Sequence, residues 1–128
     1  MFLQACLYRP SVRALFIGES EAGFSSLYQR LRKDGCQCEF VPSCSCGAEL
    51  FPKCSFDLIF CGVGMKDFGA LVSATLRSPA SLFRYLRVEE GCWWVPTVLR
   101  GKPCVGASAL RPREFAKALD HFIFAGNR

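Results

Sequence analysis

A chain of 128 residues is long enough to bury a continuous core and too short for two ordinary domains. With 51% of its residues hydrophobic, 21% charged and 12 phenylalanines, the composition excludes a disordered chain, and no apolar run reaches the roughly 20 residues that cross a bilayer. The net charge of +5 comes from scattered Lys and Arg with no basic block, which reads as a solvated surface rather than a nucleic-acid groove.

Met1 to Arg9 lacks the basic segment and long apolar run of a secretory signal, so a cytoplasmic protein without a membrane partner is expected. Ala14-Leu15-Phe16-Ile17 is a continuous apolar run ended by Gly18-Glu19-Ser20, the pattern of a buried central strand. Phe24, Leu27, Tyr28 and Leu31 then recur at helical spacing, with Ser20 as candidate cap and Gly35 as stop. Cys38 to Val41 reads as a second strand, followed by a short helix over Gly47 to Phe51 before Pro52. Phe56 to Cys61 repeats the strand pattern, broken by Gly62-Val63-Gly64. A third helix is expected with Asp67 as cap and Phe68, Leu71, Val72, Thr75 and Leu76 inward.

Ser81 to Leu86 reads as a fourth strand, but no helical pattern follows it. Trp93-Trp94-Val95 and Thr97-Val98-Leu99 are β-rich, Pro96 suits an edge or bulge, and Arg100-Gly101-Lys102 is a turn, so a hairpin is expected from Trp93 to Val105. Ser108-Ala109-Leu110 supplies a last strand, and Phe115, Ala118, Leu119 and Phe122 the inward stripe of a final helix. Strands and helices alternating through short Gly-containing loops predict one doubly wound α/β domain over 1–128, core about 13–124. Its sheet is expected to be parallel, with a β-hairpin standing where a fourth helix would.

The nine cysteines are Cys6, Cys36, Cys38, Cys44, Cys46, Cys54, Cys61, Cys92 and Cys104. Two Cys-x-Cys pairs near Cys54 invite zinc, but structural zinc ligands are usually spaced by two or more residues, and the single histidine, His121, is distant. An odd count without a signal also argues against a disulfide framework. Reduced structural thiols are expected, with Cys61 acting as a small hydrophobe in its strand.

Leu110-Arg111-Pro112 ahead of the Phe115 to Leu119 stripe, Gly18-Glu19 after the first strand and Asp57 leading into Gly62 together resemble the receiver domain of bacterial response regulators. The resemblance covers roughly Arg13 to Phe124. In that family an acidic pair closing the first strand holds magnesium; Gly18-Glu19 leaves one acid. The phosphoaccepting aspartate ends the third strand, and counting from Asp57 places Gly62 there. The lysine that ends the last strand becomes Arg111, followed by the matching Pro112, whose peptide bond is cis in the family. The Ser or Thr switch has no counterpart among Arg84, Tyr85 and Leu86. The resemblance therefore implies a degenerate phosphorylation pocket of Gly18, Glu19, Gly62, Arg111 and Pro112, with no metal, cofactor or phosphorylation. The plain readings beside it make Glu19 an acceptor at a helix start, Arg111 a surface cation and Pro112 a helix-start residue.

Catalysis has little support: no Ser-x-x-Lys, Gly-x-Ser-x-Gly or P-loop sequence occurs, and Gly62-Val63-Gly64 lacks the third glycine of a dinucleotide fingerprint. Trp93 and Trp94 are adjacent, so on a strand they face opposite ways and at most one joins the core. The other, with Arg87 and Arg100 nearby, has the composition of a binding hot spot; alternatively both tryptophans cover the sheet edge. The leading expectation is a phosphorylation-independent module acting through a protein partner or a homodimer. The alternative is a flavodoxin-like small-molecule or nucleotide binder lined by Gly18, Glu19, Gly62, Gly64 and Arg111. Nucleic-acid binding ranks third.

Overall fold

The computed structural model describes residues 12–18, 21–51, 53–62, 65–88, 91–104, 109–111, 114–115, 117 and 119, with backbone alone at 21–26, 86–88 and 91–92. The order is β1 (Arg13–Ile17), α1 (Glu21–Lys33), β2 (Gln37–Val41), α2 (Cys44–Leu50), β3 (Leu58–Cys61), α3 (Phe68–Leu76), β4 (Ser81–Val88), β5 (Gly91–Leu99) and β6 (Lys102–Pro103). Glu114, Phe115, Lys117 and Leu119 are also helical.

The strands form one sheet in the order β2-β1-β3-β4-β5-β6. β2, β1, β3 and β4 run parallel, whereas β4–β5 and β5–β6 are antiparallel. The sheet is mixed, which corrects the expectation of a doubly wound parallel sheet. The cause is chain length: Val88 and Gly91 are register partners with two residues between them, and a parallel crossover needs a dozen or more. The expected Trp93 to Val105 hairpin is accordingly part of a longer strand. β5 pairs with β4 along most of its length, then turns through Arg100-Gly101 into the two-residue β6. The expected last strand is reduced to a bridge between Leu110 and Trp94; residues 105–108 lie outside the described residues.

β1 and β3 are buried apolar runs, as parallel strands covered on both faces must be. Phe40, Phe16, Phe60 and Phe83 are register partners across β2, β1, β3 and β4, and their rings stack at centroid spacings of 5.0, 5.0 and 5.6 Å. Phe115 and Leu119 close this face of the core with Leu31 of α1. The opposite face packs Leu15, Ile17, Ile59, Cys61, Leu82 and Val98 with Cys44 and Leu71.

Local signals set the helix ends. α1 stops in a Schellman motif: Cys36 N–H donates to Leu31 O (2.9 Å) and Gly35 N–H to Arg32 O (3.1 Å), with Gly35 at φ 91°. The candidate cap Ser20 and the Phe24 side chain lie outside the described residues. α2 starts earlier than expected because the Ser43 side chain accepts from Cys46 N–H at 3.2 Å. Asp67 precedes α3 but makes no side-chain cap bond, since it takes a left-handed conformation at φ 59°. Leu71, Ala74 and Thr75 are the buried stripe of α3, and Leu76 is 39% exposed because it sits well round the helix from Leu71.

Pro96 is buried inside β5. A register shift accommodates it: Phe83 pairs with Pro96 and Leu82 with Val98, leaving Thr97 as a bulge. The extra residue also flips the alternation. Trp94 faces the phenylalanine side of the sheet, whereas Val98 faces the other. At the amino ends of the strands, Asp57 joins β1 to β3, its carboxylate accepting from Arg13 N–H at 2.9 Å.

Candidate functional site

The carboxyl ends of the parallel strands bring Gly18 and Gly62 side by side. Gly18 N–H donates to Val41 O at 3.0 Å and Gly62 N–H to Ile17 O at 2.8 Å, so both extend the sheet ladder. These two N–H groups are therefore taken by backbone carbonyls and are not free to cradle a phosphate. Glu19, Gly64 and Pro112 lie outside the described residues. Asp57, the landmark used to count to Gly62, stands at the opposite end of β3 and serves the sheet there.

Arg111 is exposed and fixed from its own backbone. Its N–H donates to Glu114 Oε1 at 3.1 Å and its carbonyl accepts from Phe115 N–H at 2.8 Å, the return half of a capping box. Its guanidinium carbon lies over the Trp93 ring, 5.1 Å from the centroid.

The tryptophans divide as strand alternation demands. Trp94 is 4% exposed, stacks on Phe115 at 4.8 Å and meets Phe60 edge-on at 5.5 Å. Trp93 is half-buried on the other face. Register fixes that face: Cys61 pairs with Arg84 and Arg84 with Val95, and Trp93 lies two residues from Val95. Arg84, Val95 and Trp93 thus share the side of the sheet that carries α2 and α3. α3 covers this side where Leu82 and Val98 are buried, and it begins at Phe68, whose ring carries the Arg84 guanidinium at 4.8 Å. Beyond Phe68, toward Trp93, no described helix covers the sheet.

Of the other expected contact residues, Arg100 is exposed in the β5–β6 turn at φ 51°, donating its backbone N–H to Ser81 Oγ at 3.0 Å, away from Trp93. Arg87 pairs with Cys92 through the backbone, and its side chain lies outside the described residues. Arg84, where the receiver resemblance offers no switch residue, lies over the Phe68 ring and pairs with Val95, on the same sheet face as Trp93. No periodicity marks it, because its place follows from the β3–β4 register.

Beneath this surface, Cys44 at the start of α2 and Cys61 at the end of β3 are wholly buried with their Sγ atoms 3.7 Å apart. Burial pushes the Cys44 thiol up; the Cys61 S–H and Arg84 act against that rise and Asp67 adds to it. Burial likewise pushes the Cys61 thiol well above its ordinary value, and Cys44 adds to the rise. Among the described residues, no group of three or more His, Cys, Asp or Glu is placed to hold a metal ion. No described helix is long and apolar enough to cross a membrane.

Comparison with protein-family models, with curated proteins and with solved structures finds no match to this chain.

Proposed function

We propose that this chain is a receiver-like module that works through protein contacts and without phosphorylation. The receiver-like part is the β2-β1-β3-β4 half, in which parallel strands bring Gly18 and Gly62 together; β5 and β6 depart from that pattern. Phosphoryl transfer needs a carboxylate nucleophile and several oxygen ligands for magnesium, and glycine at 62 supplies neither from a side chain.

The observation that carries the contact reading is the trio of Arg84 on Phe68, Val95, and Trp93 under Arg111, spread over a sheet face beyond α3. Two aromatic rings on one sheet face, Phe68 and Trp93, each covered by a guanidinium, have the composition of a binding hot spot. The partner we infer is a protein segment carrying carboxylates beside apolar or aromatic side chains. The chain's net charge of +5 favours an acidic partner over a second copy of itself, because like charges repel on self-association.

Selection from a displayed random-peptide library tests this. The expected binders are acidic and aromatic, and their affinity falls about tenfold or more with Trp93→Ala or Arg111→Glu while Lys33→Glu leaves it unchanged. Binders indifferent to both substitutions would overturn the assignment. Saturable stabilisation by nucleotides or flavins would favour the small-molecule alternative, and a concentration-dependent mass would make the partner a second copy.

A further inference from the structure

Cys44 and Cys61 are the one pair of described thiols in direct sulfur contact, at 3.7 Å, and they come from elements separated by 17 positions in sequence. Their proximity follows from how α2 sits on the sheet. Gly47 lies one turn after Cys44, and a Cβ there would come within 2.7 Å of Ile17 Cδ1 and 3.5 Å of Leu71 Cδ1. Lacking that atom, α2 descends onto β1 and α3, and Cys44 is carried onto Cys61. Both side chains are wholly buried, in a cluster with Leu15, Ile17, Ile59 and Leu71.

We propose that Cys44 and Cys61 form a redox-modification site, a buried dithiol that a small peroxide converts into a disulfide joining the start of α2 to the end of β3. The contact distance must shrink to a bond length of about 2.05 Å, which side-chain rotation and a slight shift of the first turn of α2 supply. The oxidant must be small because neither sulfur is exposed, and hydrogen peroxide meets that need. Cys44 is the sulfur that reacts first: burial pushes its thiol up, but the Cys61 S–H and Arg84 oppose that rise, whereas burial and Cys44 both push the Cys61 thiol up. The Cys44 thiolate attacks one peroxide oxygen and the O–O bond breaks. The leaving hydroxide takes up the thiol proton as water, and Cys44 becomes a sulfenic acid. The Cys61 sulfur then attacks the Cys44 sulfur; the S–S bond forms, the S–O bond breaks, and hydroxide leaves with the Cys61 proton as a second water. Two thiols are oxidised by two electrons in all, and one peroxide is reduced to two waters.

The site lies next to Gly62, so the disulfide would fasten α2 to the strand end that borders the candidate pocket. The proposal stands whether or not the receiver reading holds. The test is to treat the folded full-length chain with hydrogen peroxide, block remaining thiols and map the linkages by tryptic mass spectrometry; cleavage after Lys53 separates a peptide with Cys36, Cys38, Cys44 and Cys46 from one with Cys54 and Cys61, and fragmentation of the linked pair assigns the bonded sulfurs. The expected result is a Cys44–Cys61 linkage, reversed by dithiothreitol and accompanied by a rise in Tm of about 5–10 °C from closing the intervening loop. Cys61→Ala should abolish both linkage and rise, and Cys46→Ala should leave both. Finding both cysteines still as thiols, or linked elsewhere, in the oxidised wild-type protein would overturn the proposal, as would a Tm rise that persists in Cys61→Ala. The wild-type map alone decides if the alanine variant fails to fold.

Discussion

The two halves of the sheet solve the same problem differently. In the parallel half, β2, β1, β3 and β4 are aligned by register, and one phenylalanine from each stacks into a continuous ladder. In the antiparallel half, β5 is held by a bulge at Thr97, by the Tyr85–Trp94 contact at 4.5 Å and by a turn anchored to Ala80 and Ser81. The first half draws on repeated burial of equivalent side chains. The second draws on a few particular backbone positions, and the face of β4 and β5 on the α2 and α3 side carries Arg84, Val95 and Trp93, each half-buried. A short edge ends the antiparallel half: β6 is two residues long and consists of Lys and Pro, residues that discourage further strand pairing.

The comparison can be broken or sharpened by substitution. Phe60 touches Phe16, Phe83, Trp94 and Phe115, so it joins the two halves. Phe60→Ala should cost about 3–5 kcal/mol in urea denaturation, the largest effect of a single change; a loss near 1 kcal/mol would mean the ladder is not the centre of the core. Gly101→Ala comes next. Its φ of 77° is left-handed, and a Cβ would run into the Ser78 carbonyl, which is backbone and yields little. We expect a loss of about 2–3 kcal/mol. Gly35→Ala in the parallel half has the same unfavourable sign of φ but open space around it, so its loss should be about 1 kcal/mol. Equal losses at the two glycines would show that the turn is not anchored as described. Ser43→Ala removes the α2 cap and should cost about 1 kcal/mol. Glu39→Gln breaks the exposed pair with Arg13 at 3.3 Å and should shift stability by under about 0.5 kcal/mol, measured in the same denaturation series.

Much of the parallel half is legible from local pattern. The continuous apolar runs at Ala14–Ile17 and Leu58–Cys61, the stripe leading to Leu31 and the Gly35 stop each carry their own signal, and all lie in their expected elements. The antiparallel direction of β5 is a matter of counting. Glu89 and Glu90 leave no room for a crossover, and that length outweighs the alternation of elements from which a parallel sheet is expected. The bulge at Thr97 has a local signal in Pro96, but the flip in facing that follows from it depends on which residue of β4 lies opposite. Arg84 on the face of Trp93 and Cys44 against Cys61 have no local signal at all. Each is set by strand register or by the close approach that Gly47 permits, and these are tertiary facts.

Trp93 offers a direct view of the central claim, because its ring lies under Arg111, the residue that the proposed receiver-like reading matches to the family's lysine. Tryptophan fluorescence would be followed while magnesium and beryllofluoride, a mimic of an aspartyl phosphate, are titrated in. The account predicts no saturable change, and no mass increase on incubation with acetyl phosphate. A saturable, magnesium-dependent change would mean that a carboxylate of this chain accepts the phosphoryl mimic, and the phosphorylation-independent reading would be contradicted.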